Sequence, residues 1–197
     1  MEKVLEKLEE LKSGEVGIII YSQVKQDIVL SLNKELLVPL ASAAKIAIAF
    51  CIAKLVEERH YKWTDIVDDV ILNPEEDSNE VYPHFQSREN LALQDAVEVM
   101  IACHDSFVAE RVVQFCGGWE RVKNRIKSYF KSINITQNPR DLDNNGELSE
   151  MLELLQLIHQ GYKTNPDLWI PVINGLVRQR GDIEGIPSHF LNHMTGG

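Results

Sequence analysis

A serine three residues before a lysine can carry acyl-transfer chemistry. One helical turn brings the hydroxyl beside the amine, and a lysine stripped of water can act as the base that activates it. The chain holds this spacing four times, at Ser22/Lys25, Ser31/Lys34, Ser42/Lys45 and Ser128/Lys131. The first two pairs lie in strand-like text, where residues three apart point to opposite faces. The last lies in RVKNRIKSYFK, where neighbouring cations and water leave the lysine protonated. Ser42 follows Val38-Pro39-Leu40-Ala41 at the start of a helical run, and Lys45 is embedded in ASAAKIAIAFCIA, whose burial disfavours the ammonium and lowers its pKa. A serine in that place also meets the free N–H groups and positive dipole end of the helix, which stabilise a developing oxyanion. On the pair alone, a plain N-cap serine beside a snorkelling lysine is the commoner meaning of the spacing.

Other chemistry has less support. Asp141-x-Asp143-x-Asn145-Gly146 has the alternating oxygens and the glycine of a Ca²⁺ loop, but its twelfth position is Leu152 where a bidentate glutamate is required. It reads as a turn before the helix that starts at Leu148. His60, His84, His159, His189 and His193 show no zinc-ligand spacing with cysteine or carboxylate partners. Neither a metal nor a cofactor is expected. Cys51, Cys103 and Cys116 sit in apolar helical text as small hydrophobes, so no disulfide framework is expected.

The elements that must position Ser42 and Lys45 follow from periodicity. Apolar Val4, Leu5, Leu8 and Leu11 predict a first helix over residues 2–12, ended by Gly14. VGIIIYSQ and IVLSLN, separated by a polar break at Lys25 to Asp27, predict an antiparallel hairpin near residues 15–32. From Ala41 to about Glu58 the text is helical, and helices separated by turn signals continue to about Arg178. GDIEGIPSHFLNHMTGG then returns to short, strand-like text. This order predicts an α+β protein in which early and late strands meet in one sheet. Residues 1–41 and 181–197 form that sheet lobe, and residues 42–180 a mainly helical lobe. The join is the natural place for a pocket.

Composition narrows the partners. The 197 residues hold 20 basic and 30 acidic side chains, a net charge of −10, which leaves no basic field for a nucleic-acid backbone. The nearly uncharged stretch from Val38 to Ala53 carries Lys45 and is too short to span a bilayer, so no membrane role is expected. The charged N-terminus lacks a signal-peptide pattern, which points to the cytoplasm, with export by a signal absent from this sequence as the alternative.

With all blocks in view, the sequence resembles the class A β-lactamases and the wider penicillin-recognising serine hydrolases along nearly its whole length. GEVGIIIYSQ with IVLSLNKELLVPLASAAKI is similar to that family's opening hairpin and Ser-x-x-Lys helix. LALQDAVEVMIACHDSFVAERVV is similar to the helix carrying its second motif, Ser-Asp-Asn, and GGWERVKNRI stands where the family has a Gly-Gly turn. LSEMLELLQLIHQG and INGLVRQRGDIEGIPSHFLNHMTGG are similar to its late helices and the run into its third motif, Lys-Thr-Gly. The resemblance implies Ser42 as the acylated nucleophile and Lys45 as its base. Asp105 and Ser106 fall in the second motif and Thr195 and Gly196 in the third, with the N–H groups of Ser42 and Gly197 as the oxyanion hole.

The departures carry expectations too. His104-Asp105-Ser106 places an imidazole where the family has a proton-passing hydroxyl. His104 is read either as that proton shuttle or as a polar residue favoured by a helix C-terminus. Met194 replaces the lysine that attracts a substrate carboxylate, a contact worth about 1.5 to 3 kcal/mol. The glutamate that activates the deacylating water finds no match in the loop before Leu148. Glu147, Asp141 and Asp143 are the acids at hand there, and a solvated acidic loop is the weightier reading. The resemblance thus implies a serine acyl hydrolase with weak or altered β-lactam turnover, acting on a small acyl substrate such as a β-lactam, ester or amide. The alternative is a catalytically silent relative kept for binding or assembly. Two further strands of the family's sheet have no counterpart in the chain, which predicts an incomplete sheet, a truncated chain and self-association through the open edge.

Overall fold

The structure, a computed structural model, describes residues 14–178. The expected helix over 2–12, the late strand-like text and Thr195, Gly196 and Gly197 lie outside the described residues. So does the place where early and late strands were expected to meet.

The chain opens with β1 (Ile18–Ser22) and β2 (Asp27–Leu32), then β3 (Leu37–Pro39) and a short 3-10 turn (Ala41–Ala43) that runs into α1 (Ala44–Glu57). β4 (Ile66–Val67), α2 (Ser78–Val81) and β5 (Leu91–Ala92) lead to α3 (Leu93–Ala102), α4 (Ser106–Phe115) and α5 (Trp119–Lys127). β6 (Asn145–Glu147), α6 (Leu148–Thr164) and α7 (Pro166–Val177) complete the described chain.

β1 and β2 pair antiparallel from Ile18↔Leu32 to Ser22↔Asp27, with a register shift between Ile20 and Tyr21. This is the expected hairpin. Gln26 closes its turn at φ 54°, and Gln23 Nε2 meets His159 Nδ1 of α6 at 3.2 Å. The described strands form three two-stranded antiparallel sheets, the other two being β3 with β6 and β4 with β5. Three strands therefore fall inside the stretch expected to be mainly helical. Strands of two or three residues are too short to leave a period-two pattern in the text.

The helices pack around α1, ten of whose fourteen residues are buried. α3, α5, α6 and α7 all touch it. Such all-round apolar text suits a helix surrounded by others. Phe50 sits at the centre, its ring centroid 5.1 Å from Tyr129, 5.6 Å from Phe130 and 5.7 Å from Trp169. α7 lies close against α3 because Gly175 has no side chain: a Cβ there would fall 2.8 Å from Ile101. None of the described helices is long and apolar enough to cross a membrane.

Candidate active site

Ser42 lies in the 3-10 turn, half-buried, where the chain leaves β3 and enters α1. β3 is fixed from outside by β6, with Val38 opposite Gly146. The Leu40 N–H donates to Asn144 O at 2.9 Å. Asn144 Nδ2 donates to the Ala41 carbonyl at 3.1 Å and to Pro139 O at 3.0 Å. Ala41 itself has φ 45°, a left-handed backbone that L residues avoid. A buried amide thus ties the residue before Ser42 to the loop before α6. The N-cap of α1 is Ala43 and no side chain caps it, so Ser42 does not serve as the plain N-cap that its position suggested.

Lys45 is not a snorkelling side chain either, since it is only 4% exposed. It lines a small pocket with Ala41, Ala44, Ile48, Ser106 and Trp119. Burial pushes its pKa down by disfavouring the ammonium, while the charges of Glu76 and Asp105 oppose that shift. The other serine–lysine pairs are otherwise engaged. Ser22 Oγ accepts from Lys25 N at 3.2 Å, Ser31 is an exposed strand residue, and Ser128 Oγ donates to Arg125 O at 2.6 Å.

Facing Lys45 is the junction of α3 and α4. Asp105 is fully buried and its two oxygens accept four hydrogen bonds. Oδ1 takes the N–H groups of Phe107 and Val108 at 2.9 and 3.0 Å, capping α4. Oδ2 takes Asn73 N at 2.9 Å and Ser78 Oγ at 2.6 Å. With both oxygens engaged, this carboxylate holds local structure together. Ser106 Oγ accepts from Asn73 Nδ2 at 3.3 Å and lines the same pocket as Lys45. His104 stands half-buried with φ 54°. Burial pushes its pKa down, Lys45 pushes it further, and Asp77 opposes both. The balance favours neutral imidazole.

The described residues thus bring Lys45, His104, Asp105 and Ser106 to one place, with Ser42 one turn before Lys45. The loop acids are not part of it. Asp141 and Asp143 are exposed, Asp141 Oδ1 accepting from Asp143 N at 3.1 Å, and Glu147 lies in β6. The segment 141–146 forms a turn and the start of β6, the turn before the helix at Leu148 that the sequence suggested. Sequence reasoning missed Glu76, a half-buried carboxyl whose pKa burial pushes up and Lys45 pulls down. Its only signal was the turn text Asn73-Pro74, followed by acids that looked like an ordinary solvated run.

Comparison with solved structures returns this fold. The chain superposes on a point mutant of PBP-A, solved as an acyl-enzyme complex with penicillin G, with a TM-score of 0.72 and 16% identity, covering 92% of this chain and 69% of that one. A β-lactamase from Chitinophaga pinensis DSM 2588 gives 0.76 and 19%, covering 94% and 73%. An ancestral class A β-lactamase gives 0.71 and 15%, covering 94% and 75%. Identities this low establish the β-lactamase/transpeptidase-like α+β fold, over about three quarters of the length of those chains. No curated protein sequence matches the chain. Residues 1–190 match the family described as the Beta-lactamase enzyme family, and the chain belongs to that family.

Proposed function

We propose that the protein is a serine acyl hydrolase in which Ser42 is acylated and Lys45 takes its proton, with acylation outlasting turnover. The observation that carries this is the state of Lys45. A lysine 4% exposed, three residues after a serine at a helix start and on the wall of a pocket shared with Ser106, supports the role of base, because burial lowers its pKa against the charges of Glu76 and Asp105. Ser42 Oγ attacks the acyl carbon as its proton passes to the Lys45 amine, and the proton then goes to the departing group, with His104 as the carrier. Support for slow release comes from the loop before α6, where Asp141 and Asp143 are exposed and Glu147 lies in β6. The substrate is a small acyl compound, β-lactam, ester or amide, and Met194 leaves a substrate carboxylate without its cation. That a point mutant of PBP-A, of the same fold, forms an acyl-enzyme with penicillin G supports an acylation step.

The test is a fluorophosphonate or labelled-penicillin probe followed by mass spectrometry of the Ser42 peptide. We expect a mass increment on Ser42 with small neutral reagents, none in Ser42→Ala, and slow or undetectable penicillin hydrolysis. A folded protein that resists every probe would instead be a silent relative kept for binding or assembly.

A further inference from the structure

At the far end of α1 from Lys45, the helices leave a cavity of about 340 Å³. Lys45 is the second residue of α1 and Lys54, on the cavity wall, the eleventh, so about 13 Å of helix lies between the two places. The cavity and the Lys45 pocket share no lining residue. Phe50, Tyr129 and Trp169 line the cavity together with Leu157, and an apolar wall of that size with a few polar groups has the character of a small-molecule site. Trp169 supplies one of those polar groups. Of the three tryptophans, Trp63 donates its indole N–H to Leu168 O and Trp119 donates to Glu110 Oε2, each at 2.8 Å. Trp169 is only 2% exposed, yet its indole N–H has no partner among the described residues, although a buried indole ordinarily finds one. The N–H edge lies at the cavity wall: a Cβ on Gly161, another lining residue, would fall 2.5 Å from Trp169 Nε1. Glycine there keeps the space beside the donor clear.

We propose that this cavity is a second binding site, for a small uncharged aromatic molecule bearing a carbonyl, of the aryl carboxamide class. Its ring packs against Phe50, Tyr129 and Leu157, and its carbonyl accepts from the Trp169 indole N–H. Two further polar groups complete the match. The Gln160 side-chain amide makes no hydrogen bond among the described residues, and Asn165 uses only Oδ1, which accepts from Leu168 N at 3.4 Å. Both are free to meet the ligand's amide. Charge selects a neutral occupant: Lys54 and Glu57, the charged residues of the lining, are paired with each other, and a net charge of −10 disfavours anions. The site stands apart from Ser42 and does not depend on whether that serine is acylated.

The experiment titrates benzamide into the full chain carrying isotope-labelled tryptophan, the Trp169 indole signal being assigned by its loss in Trp169→Phe. That signal should move saturably, with half-saturation at about 1 mM, while the signal of Trp119, which lines the Lys45 pocket, stays in place. Affinity is followed in parallel on the ligand's own signals. Trp169→Phe keeps an aromatic wall and removes the donor, so benzamide should bind about fivefold more weakly. If that variant fails to fold, aniline on the wild-type chain carries the same comparison, since it is neutral, aromatic and without a carbonyl; it too should bind about fivefold more weakly than benzamide. A Trp169 signal that stays still at concentrations well above half-saturation overturns the inference, as does a Trp119 signal that moves in its place. Equal binding of benzamide and aniline, or equal binding of benzamide by wild type and a folded Trp169→Phe, overturns the assignment of a carbonyl ligand to the indole N–H.

Discussion

Asp105 shows how much one buried side chain can decide. Its four accepted hydrogen bonds cap α4 and hold Asn73 and Ser78 across about thirty residues of chain. In Asp105→Asn one oxygen becomes an amide that can only donate, facing either a backbone N–H that cannot turn round or the N-cap donors it should satisfy. The unsatisfied buried group should cost about 1 to 3 kcal/mol, read as a lower urea or thermal midpoint. Asp105 was legible as a motif position, but its partners were not. Asn73 and Ser78 lie far upstream in text that announces only a turn, and nothing in one sequence says which turn folds over which motif. Glu76 was invisible for the same reason. Ser42 and Lys45 were legible because burial of a helix can be read from its own residues, and the structure buries Lys45 where the apolar run placed it.

At the scale of elements, periodicity located the hairpin and the helices, and missed the short strands that join distant parts. Glu150, in the first turn of α6, is another such join. Its carboxylate accepts from the N–H groups of Lys131, Ser132 and Ile133 at 2.9, 2.7 and 3.1 Å and from Ser132 Oγ at 2.5 Å, binding α6 to the end of the preceding segment. Partial burial raises its pKa, and these donors, acting together, outweigh that and lower it below the usual carboxylate value. A carboxyl with a depressed folded pKa contributes stability that is complete above about pH 4.5 and is lost as the pH falls through the folded value. Glu150→Gln should therefore be less stable at pH 7, by about 1 kcal/mol after allowing for its contact with water. The difference from wild type should shrink as the pH falls below about 4.5 and through the lower folded value, beyond which both side chains are neutral. Urea unfolding midpoints across pH 3 to 7 check this; a constant difference would mean that packing, and not charge, makes the join.

Across the whole molecule, a net charge of −10 disfavours anionic substrates before they reach the site. By the resemblance Met194 stands where the family has a lysine, and we propose that the local cation that would offset that field is missing there. Met194→Lys should improve binding of carboxylate-bearing β-lactams by roughly tenfold, if about 1.4 kcal/mol of charge-assisted hydrogen bonding is recovered. The remaining long-range repulsion should weaken as salt is added. Competition of labelled penicillin at low and high ionic strength separates the two effects, and no gain at either would mean that position 194 does not meet the carboxylate.

Ala41 links these scales. A left-handed alanine costs about 1 kcal/mol or more, and here the cost is held one peptide before Ser42 by the Asn144 amide, whose Nδ2 donates to the Ala41 carbonyl. The same amide holds Pro139, and the Asn144 carbonyl holds Leu40. The turn that presents Ser42 and the loop that borders its pocket consequently share one fastening. Replacing Asn144 should therefore disturb the seat of Ser42 and the loop together.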